Sequence, residues 1–502
     1  MGQSLNLLSA DGASSTRFHT FNGGSFGIRV LGRVQDSIHI DSGGGEVNFG
    51  STAENTNIDV SGTAQVRVLD AGTTTDSVVV ADAAGLLKKI AVNDLFTSTC
   101  DGDSDTCIDT DKPGTDEDII RFTLDGTEQF IMDGPRLAVV NSGQSVFIGE
   151  NAGVADDLST NRLTFVGYNA GASNTTAIDN TFVGHSAGQT TTISRYNSFF
   201  GARAGGNYER PATGGSNTFI GFAAGENATS TTNTYVGSSA GQNSTGTTQV
   251  ALGSNAGRDS SGTGNLYLGY QAGRDNTGNY NIYKGYNAGA FATAGAYNVI
   301  SGYQAGYNNA ASGNVFTGYR TGYVNTTGTY NVFSGYSAGA NFVAGTGNIF
   351  TGRSAGGSAT GGSYNIATGY LAGSNYEAGS TYNTAIGSRA LRYTTTGARN
   401  VALGYLAGEG ITTGSYNIAI GDAAASQAAS STTNNIFIGR SAGGQWSEGT
   451  LNTILGYQAG FYAGGDRNVM IGQGSGRGSS ANKKVVDRSV FLGYNSGYYE
   501  QN

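Results

Sequence analysis

An all-β, elongated β-solenoid or β-roll fibre is the fold class this sequence predicts, and three observations predict it. A nine-residue signature, N-x-x-x-G-x-x-A-G, recurs through residues 141–502 at spacings mostly of 16 to 18. Between its Asn and first Gly stand short β-branched and aromatic runs, such as Val315-Phe316-Thr317 and Ile436-Phe437-Ile438, which favour a pleated strand. The chain of 502 residues holds 83 Gly and only 3 Pro, and Pro disappears after Pro211, which suits N–H groups committed to a ladder.

Residues 1–99 lack the signature and alternate in plain β fashion: Ile28-Arg29-Val30, Ile38-His39-Ile40, Val66-Arg67-Val68-Leu69 and Val78-Val79-Val80. They read as a β-rich shaft or attachment region, with a short helix around Val92–Phe96.

Residues 100–140 read as an acidic connector. Cys100 and Cys107 bracket a loop containing Asp101, Asp103 and Asp105, with Asp109 following. Alternating carboxylates on a tight loop suit a hard cation such as Ca2+. The loop departs from an EF-hand, having Thr106 where a Gly is required and Lys112 at the twelfth position. A solvated acidic linker is the plain alternative. The two cysteines are expected either to close a small disulfide loop, which would suit an oxidising compartment, or to remain free thiols. With no nearby His they make a poor zinc site.

The repeat itself has 21 copies, with first glycines running from Gly149 to Gly493. The Asn four residues earlier is present in 17 of them; Ser145, Leu163, Gln249 and Ser489 replace it elsewhere. Ala stands three residues after the Gly in all but Thr321, Ser475 and Ser496. Disorder does not keep such a period. Asn bonds backbone in turns and can form a ladder in a stack. A unit of about 17 residues cannot bury a core alone, so the units must stack, and 21 strands ~4.8 Å apart make a rod of roughly 100 Å. The coil is thin and carries apolar residues on both strand faces, which favours a parallel homotrimer over a lone solenoid.

Stretches such as Gly414-Ser415-Tyr416-Asn417-Ile418-Ala419-Ile420-Gly421 and Tyr330-Asn331-Val332-Phe333-Ser334-Gly335-Tyr336-Ser337-Ala338-Gly339 resemble the NTAIGYxAL-type repeats of bacterial and phage tail-fibre-domain proteins. They are also distantly similar to the β-roll heads of trimeric autotransporter adhesins. Leu86-Leu87-Lys88-Lys89-Ile90 and Asp116-Glu117-Asp118-Ile119-Ile120-Arg121-Phe122 look like connectors recurrent in such fibres. The resemblance implies a fibre that projects from a phage tail, an injection particle or a cell surface and mediates host or surface recognition. Its partners would be an anchor or baseplate protein at one end and a cell-surface glycan or other receptor. Many such proteins end in a self-cleaving chaperone domain, so the resemblance also implies either a tail cleaved after Asn502 or a shortened chain.

The remaining residues agree with an extracellular structural role. Residues 1–211 carry 26 acidic and 13 basic side chains, residues 212–502 carry 10 and 14, and neither half is basic enough for nucleic acid. No apolar run is long enough to insert in a membrane, and the first residues lack the regions of a secretory signal. His19, His39 and His185 are far apart and sit in no nucleophile motif, so no enzyme is expected. Tyr follows the first Gly in ten coils, and Tyr270, Tyr286, Tyr303, Tyr319 and Tyr336 come from consecutive ones. Such a ladder suits a glycan surface, or simply packs on itself. In repeats 9 to 14 the residue before the Gly turns polar: Lys284, Ser301, Thr317, Ser334, Thr351 and Thr368, either a hydrated axis or a contact face. A long unit near the carboxyl end holds Lys483, Lys484 and Arg488, a candidate contact for anionic sugars or a solvated loop. Two other classes fit the same repeat: a monomeric glycan- or ice-binding solenoid, and a self-polymerising extracellular filament.

Overall fold

The computed structural model of the chain describes residues 143–208, 215–480 and 483–498, and ahead of them ten strands between residues 4 and 139. The chain divides into two compact units between Lys89 and Ile90. In the first, Ser4–Leu8, Ser15–Thr20 and Phe26–Leu31 form an antiparallel sheet. Ser77–Ala81 pairs with Leu87–Ala91 at the boundary. The stretches 38–40 and 66–69, and the helix expected around Val92–Phe96, lie outside the described residues.

The second unit holds an antiparallel sheet in the order Arg136–Val139, Thr127–Asp133, Ile119–Leu124, Cys107–Asp109, Ser98–Cys100. A parallel sheet of 21 strands follows, from Val146–Ile148 to Val490–Leu492. Each strand belongs to one coil, numbered here 1 to 21, and each pairs in register with the next: Val315 with Val332, Phe316 with Phe333, Thr317 with Ser334. The protein is therefore an all-β parallel solenoid of about 17 residues per coil, with no helix among the described residues.

Strands of three residues leave little choice about what is buried. The middle residue points inward and its two neighbours point out, because side chains alternate across a strand. Phe165, Phe182, Phe199 and Phe219 stack in this inward column with centroids 4.7 to 4.8 Å apart, which is the strand spacing itself. A second inward column from the turns packs against the first. Beside Phe350 it offers Ala359; beside Ala367 it offers Tyr376; beside Ala402 it offers Ile411, all fully buried. One chain thus completes its own core, a single layer of side chains wide.

The signature Asn forms a third, polar column inside. The Asn331 Oδ1 accepts from the backbone N–H of Asn348 at 2.9 Å and from its Nδ2 at 3.0 Å, while that Nδ2 also donates to the carbonyl of Gly362 at 2.8 Å. Coil after coil repeats this bond set, so buried turn carbonyls find donors that the short strands do not supply. Gln249 interrupts it. Its side chain is one methylene longer, and its Oε1 accepts instead from the Tyr235 hydroxyl at 2.8 Å and the Ser244 hydroxyl at 2.9 Å.

The glycines are fixed by sterics. Gly335 has φ 140°, and a Cβ there would meet the Gly352 carbonyl oxygen of the next coil at 2.5 Å. Gly339 has φ 56° and faces the inward ring of its own coil: a Cβ would lie 2.5 Å from Phe333. Between them Ser337 also takes φ 53°, so the chain leaves the strand through reverse turns with left-handed third residues.

Candidate functional site: the outward strand face and its tyrosine borders

Outside the core, each coil presents the residue after the Asn and the residue before the Gly. The first column runs as Thr164, Thr181, Ser198, Thr218 and Thr234 through coils 2 to 6, and is Ile, Val or Leu from coil 7 to coil 14. The second is apolar in coils 1 to 8, hydroxylated in coils 10 to 14, and apolar again from Ile386 to Leu492. Lys284, in coil 9, is the single charge in these two columns. The six polar residues from Lys284 to Thr368 therefore lie on the outer surface of the single coil.

Tyr270, Tyr286, Tyr303, Tyr319 and Tyr336 border this face on the side of the glycine. Their rings stack with centroids 4.8 to 5.2 Å apart and planes within 16°. The stacking decides what the ladder can offer. Faces of the inner rings are covered by their neighbours, so a ligand meets ring edges and a row of phenol hydroxyls about one coil apart. A sugar stacking flat on a ring, as the sequence suggested, has no free face within the ladder. Beyond it, the Arg353 guanidinium lies 5.4 Å from the Tyr370 centroid in the same column.

A second tyrosine column borders the other edge, and the sequence reading missed it. Tyr280, Tyr297, Tyr330, Tyr364, Tyr382 and Tyr416 each stand immediately before the signature Asn and are exposed. Tyr280 stacks on Tyr297 at 5.4 Å and Tyr364 on Tyr382 at 5.1 Å. Arg399 takes one step of this column, its guanidinium 5.4 Å from the Tyr382 ring and 5.3 Å from Tyr416, with Nη1 donating to the Tyr416 hydroxyl at 2.6 Å. The signal was the recurrent Tyr-Asn dipeptide. Its position has φ near 60°, where a bulky residue is normally avoided, so the pattern was not expected to be a surface column.

The other candidate residues are dispersed. Lys483 is exposed, Lys484 pairs with Ala463 in a two-residue strand that ties the long unit to a preceding coil, and Arg488 is exposed with its N–H on the Asp466 carbonyl. Asp101, Asp103 and Asp105 lie outside the described residues, and Asp109 stands opposite Arg121 in the antiparallel register. Among the described residues no group of three His, Cys, Asp or Glu side chains could hold a metal. Cys100 and Cys107 are register partners across their hairpin, and Cys107 is disulfide-bonded. No described helix is long and apolar enough to cross a membrane.

Inter-coil ion pairs recur at a fixed geometry. Arg203 meets the buried Glu226 of the next coil, and Arg389 meets Glu409 in the same two positions with Nε 2.7 Å from Oε1. These tie one coil to the next.

No protein-family model, curated protein sequence or solved structure matches this chain.

Proposed function

We propose that this chain is a structural fibre: a stiff shaft, assembled as an extracellular homotrimer, that holds a recognition surface away from a phage tail, an injection particle or a cell. The observation that carries the reading is axial continuity. Backbone ladder, Asn ladder and stacked rings all run along the same direction with one strand spacing, so bending the shaft strains every system at once. The outward face offers repeated, weak contacts of one kind, which suits avidity over many coils and several chains. The same residues serve no reaction in this reading, and a receptor glycan would meet phenol hydroxyls and ring edges. Calcium in the Asp101–Asp109 loop would stiffen the connector.

Light scattering on the purified chain tests the assembly: a solution mass three times the 51.2 kDa of one chain is expected, and a 51.2 kDa monomer defeats it. Electron microscopy should show rods of closed length; open-ended polymers would favour a self-assembling filament instead.

The hydroxyl column Thr164, Thr181, Ser198, Thr218 and Thr234 favours one other reading, a monomeric solenoid that binds a regular surface such as ice. Thermal hysteresis in a monomeric preparation would support it.

A further inference from the structure

We propose that the outward strand face is the surface on which copies of this chain meet, side by side and in the same direction; the inference rests on the homo-oligomeric fibre reading and assigns its interface. The face is too apolar to stay in water. Leu403 and Leu492 expose 46% and 62% of their surface, with Ile386, Leu455 and Ile471 exposed beside them in the same column. Contiguous apolar patches beyond a few hundred Å² are rare on monomers.

Its dimensions fit a protein interface. A sheet of 21 strands ~4.8 Å apart and roughly 10 Å wide offers about 1,000 Å² per copy; shared between two neighbours, each pairwise contact buries about 1,000 Å² in total, which reaches what a specific interface needs. The tyrosine columns on both edges form an amphipathic rim around an apolar strip. A globular partner would touch a few coils of this strip. Another copy has the same period and matches it over its whole length.

A closed trimer sets the direction, because a three-fold axis along the solenoid leaves every copy pointing the same way. Rotation about an axis along the solenoid brings the post-asparagine column of one copy against the pre-glycine column of the next, in the same coil. In coils 16 to 18 this sets Val401 against Leu403, Ile418 against Ile420, and Ile436 against Ile438 of the neighbouring copy. The hydroxyl stretch from Ser301 to Thr368 then meets the Val/Ile column from Val299 to Ile366 of the neighbour at the same level.

Full-length Leu403→Asp/Ile420→Asp is compared with wild type and with Thr360→Asp, an exposed turn substitution, by light scattering and circular dichroism. Expected is a threefold lower mass for the face variant only, with the β signal kept. A face variant of wild-type mass overturns the face assignment while the oligomer reading stands; a monomeric wild type removes both. Should the charged variant misfold, cysteine pairs decide. Mild oxidation is expected to link an Ile418→Cys chain to an Ile420→Cys chain. A link that forms only when Ile420→Cys is mixed with Ile220→Cys overturns the common direction, and no link in either mixture overturns the face.

Discussion

Leu391 occupies the position that holds glycine in every other coil but one, and it fits because Ala385 replaces the inward ring of the same coil. In coils that carry an inward ring, a side chain there would strike it, as at Gly339 over Phe333. With the ring gone, Leu391 is fully buried, its Cδ2 filling the space beside Gly408 of the next coil. Ala425, the other exception, pairs with Ala419 in the same way. The second glycine is therefore a consequence of the aromatic core as much as of its left-handed backbone.

A double-mutant cycle checks this. Phe333→Ala should cost about 3–5 kcal/mol through the cavity it leaves. Gly339→Ala should cost well over the ~1–2 kcal/mol of a left-handed alanine in wild type, and only about that much once Phe333 is Ala. Equal costs in both backgrounds, measured by denaturant unfolding, would remove the steric explanation.

Asn348→Ala should open its neighbourhood. The change strands the amide N–H of Asn365, bonded at 3.0 Å, and the carbonyl of Gly362, both buried, at about 1–3 kcal/mol each. Hydrogen exchange at the Asn365 amide should accelerate strongly, while that in coils 2 to 6 stays as it was. Unchanged protection at Asn365 would mean that the ladder carries no weight.

Alkaline pH should unfold the solenoid cooperatively. Burial raises the phenols of Tyr235, Tyr267, Tyr283 and Tyr376 above their ordinary range, and it is the leading cause for each. An unfolded phenol ionises near pH 10, so the stabilisation is fully present below that pH. It is lost above it, by about 1.4 kcal/mol per unit per phenol. Phenolate absorbance should therefore show a delayed step coincident with loss of the β signal. Smooth titration of every tyrosine with the fold intact would contradict the burial.

The Tyr270–Tyr336 ladder should act through its rings. Tyr303→Phe is expected to leave stability within about 0.5 kcal/mol, because the stack survives. Tyr303→Ala should lose about 1–2 kcal/mol, from two stacked contacts at 5.1 and 5.2 Å. A large loss in the Phe variant would show that the hydroxyl, and not the stack, matters.

Much of the fold was legible because each signature residue has one strong physical reason to be where it is. Asn331 must satisfy buried turn groups, Gly335 must let the next carbonyl approach, and Phe333 must stack at the strand spacing. What was hidden is which turn residues join the core. Tyr376 and Trp446 look like surface aromatics in irregular turns, yet both fill the core, Tyr376 beside Ala367 and Trp446 against Phe437. Tyr330 sits where φ is positive, a place not read as a side-chain column.

By itself the sequence determined the period, the strand in each coil and the identity of the ladders, because those follow from short-range sterics and from identical residues recurring every coil. Which side of each strand faces water was decided by the tertiary structure alone. A three-residue strand between glycines can turn either face inward until the opposite wall closes, and only the closed coil buries Phe333 and leaves Val332 and Ser334 outside.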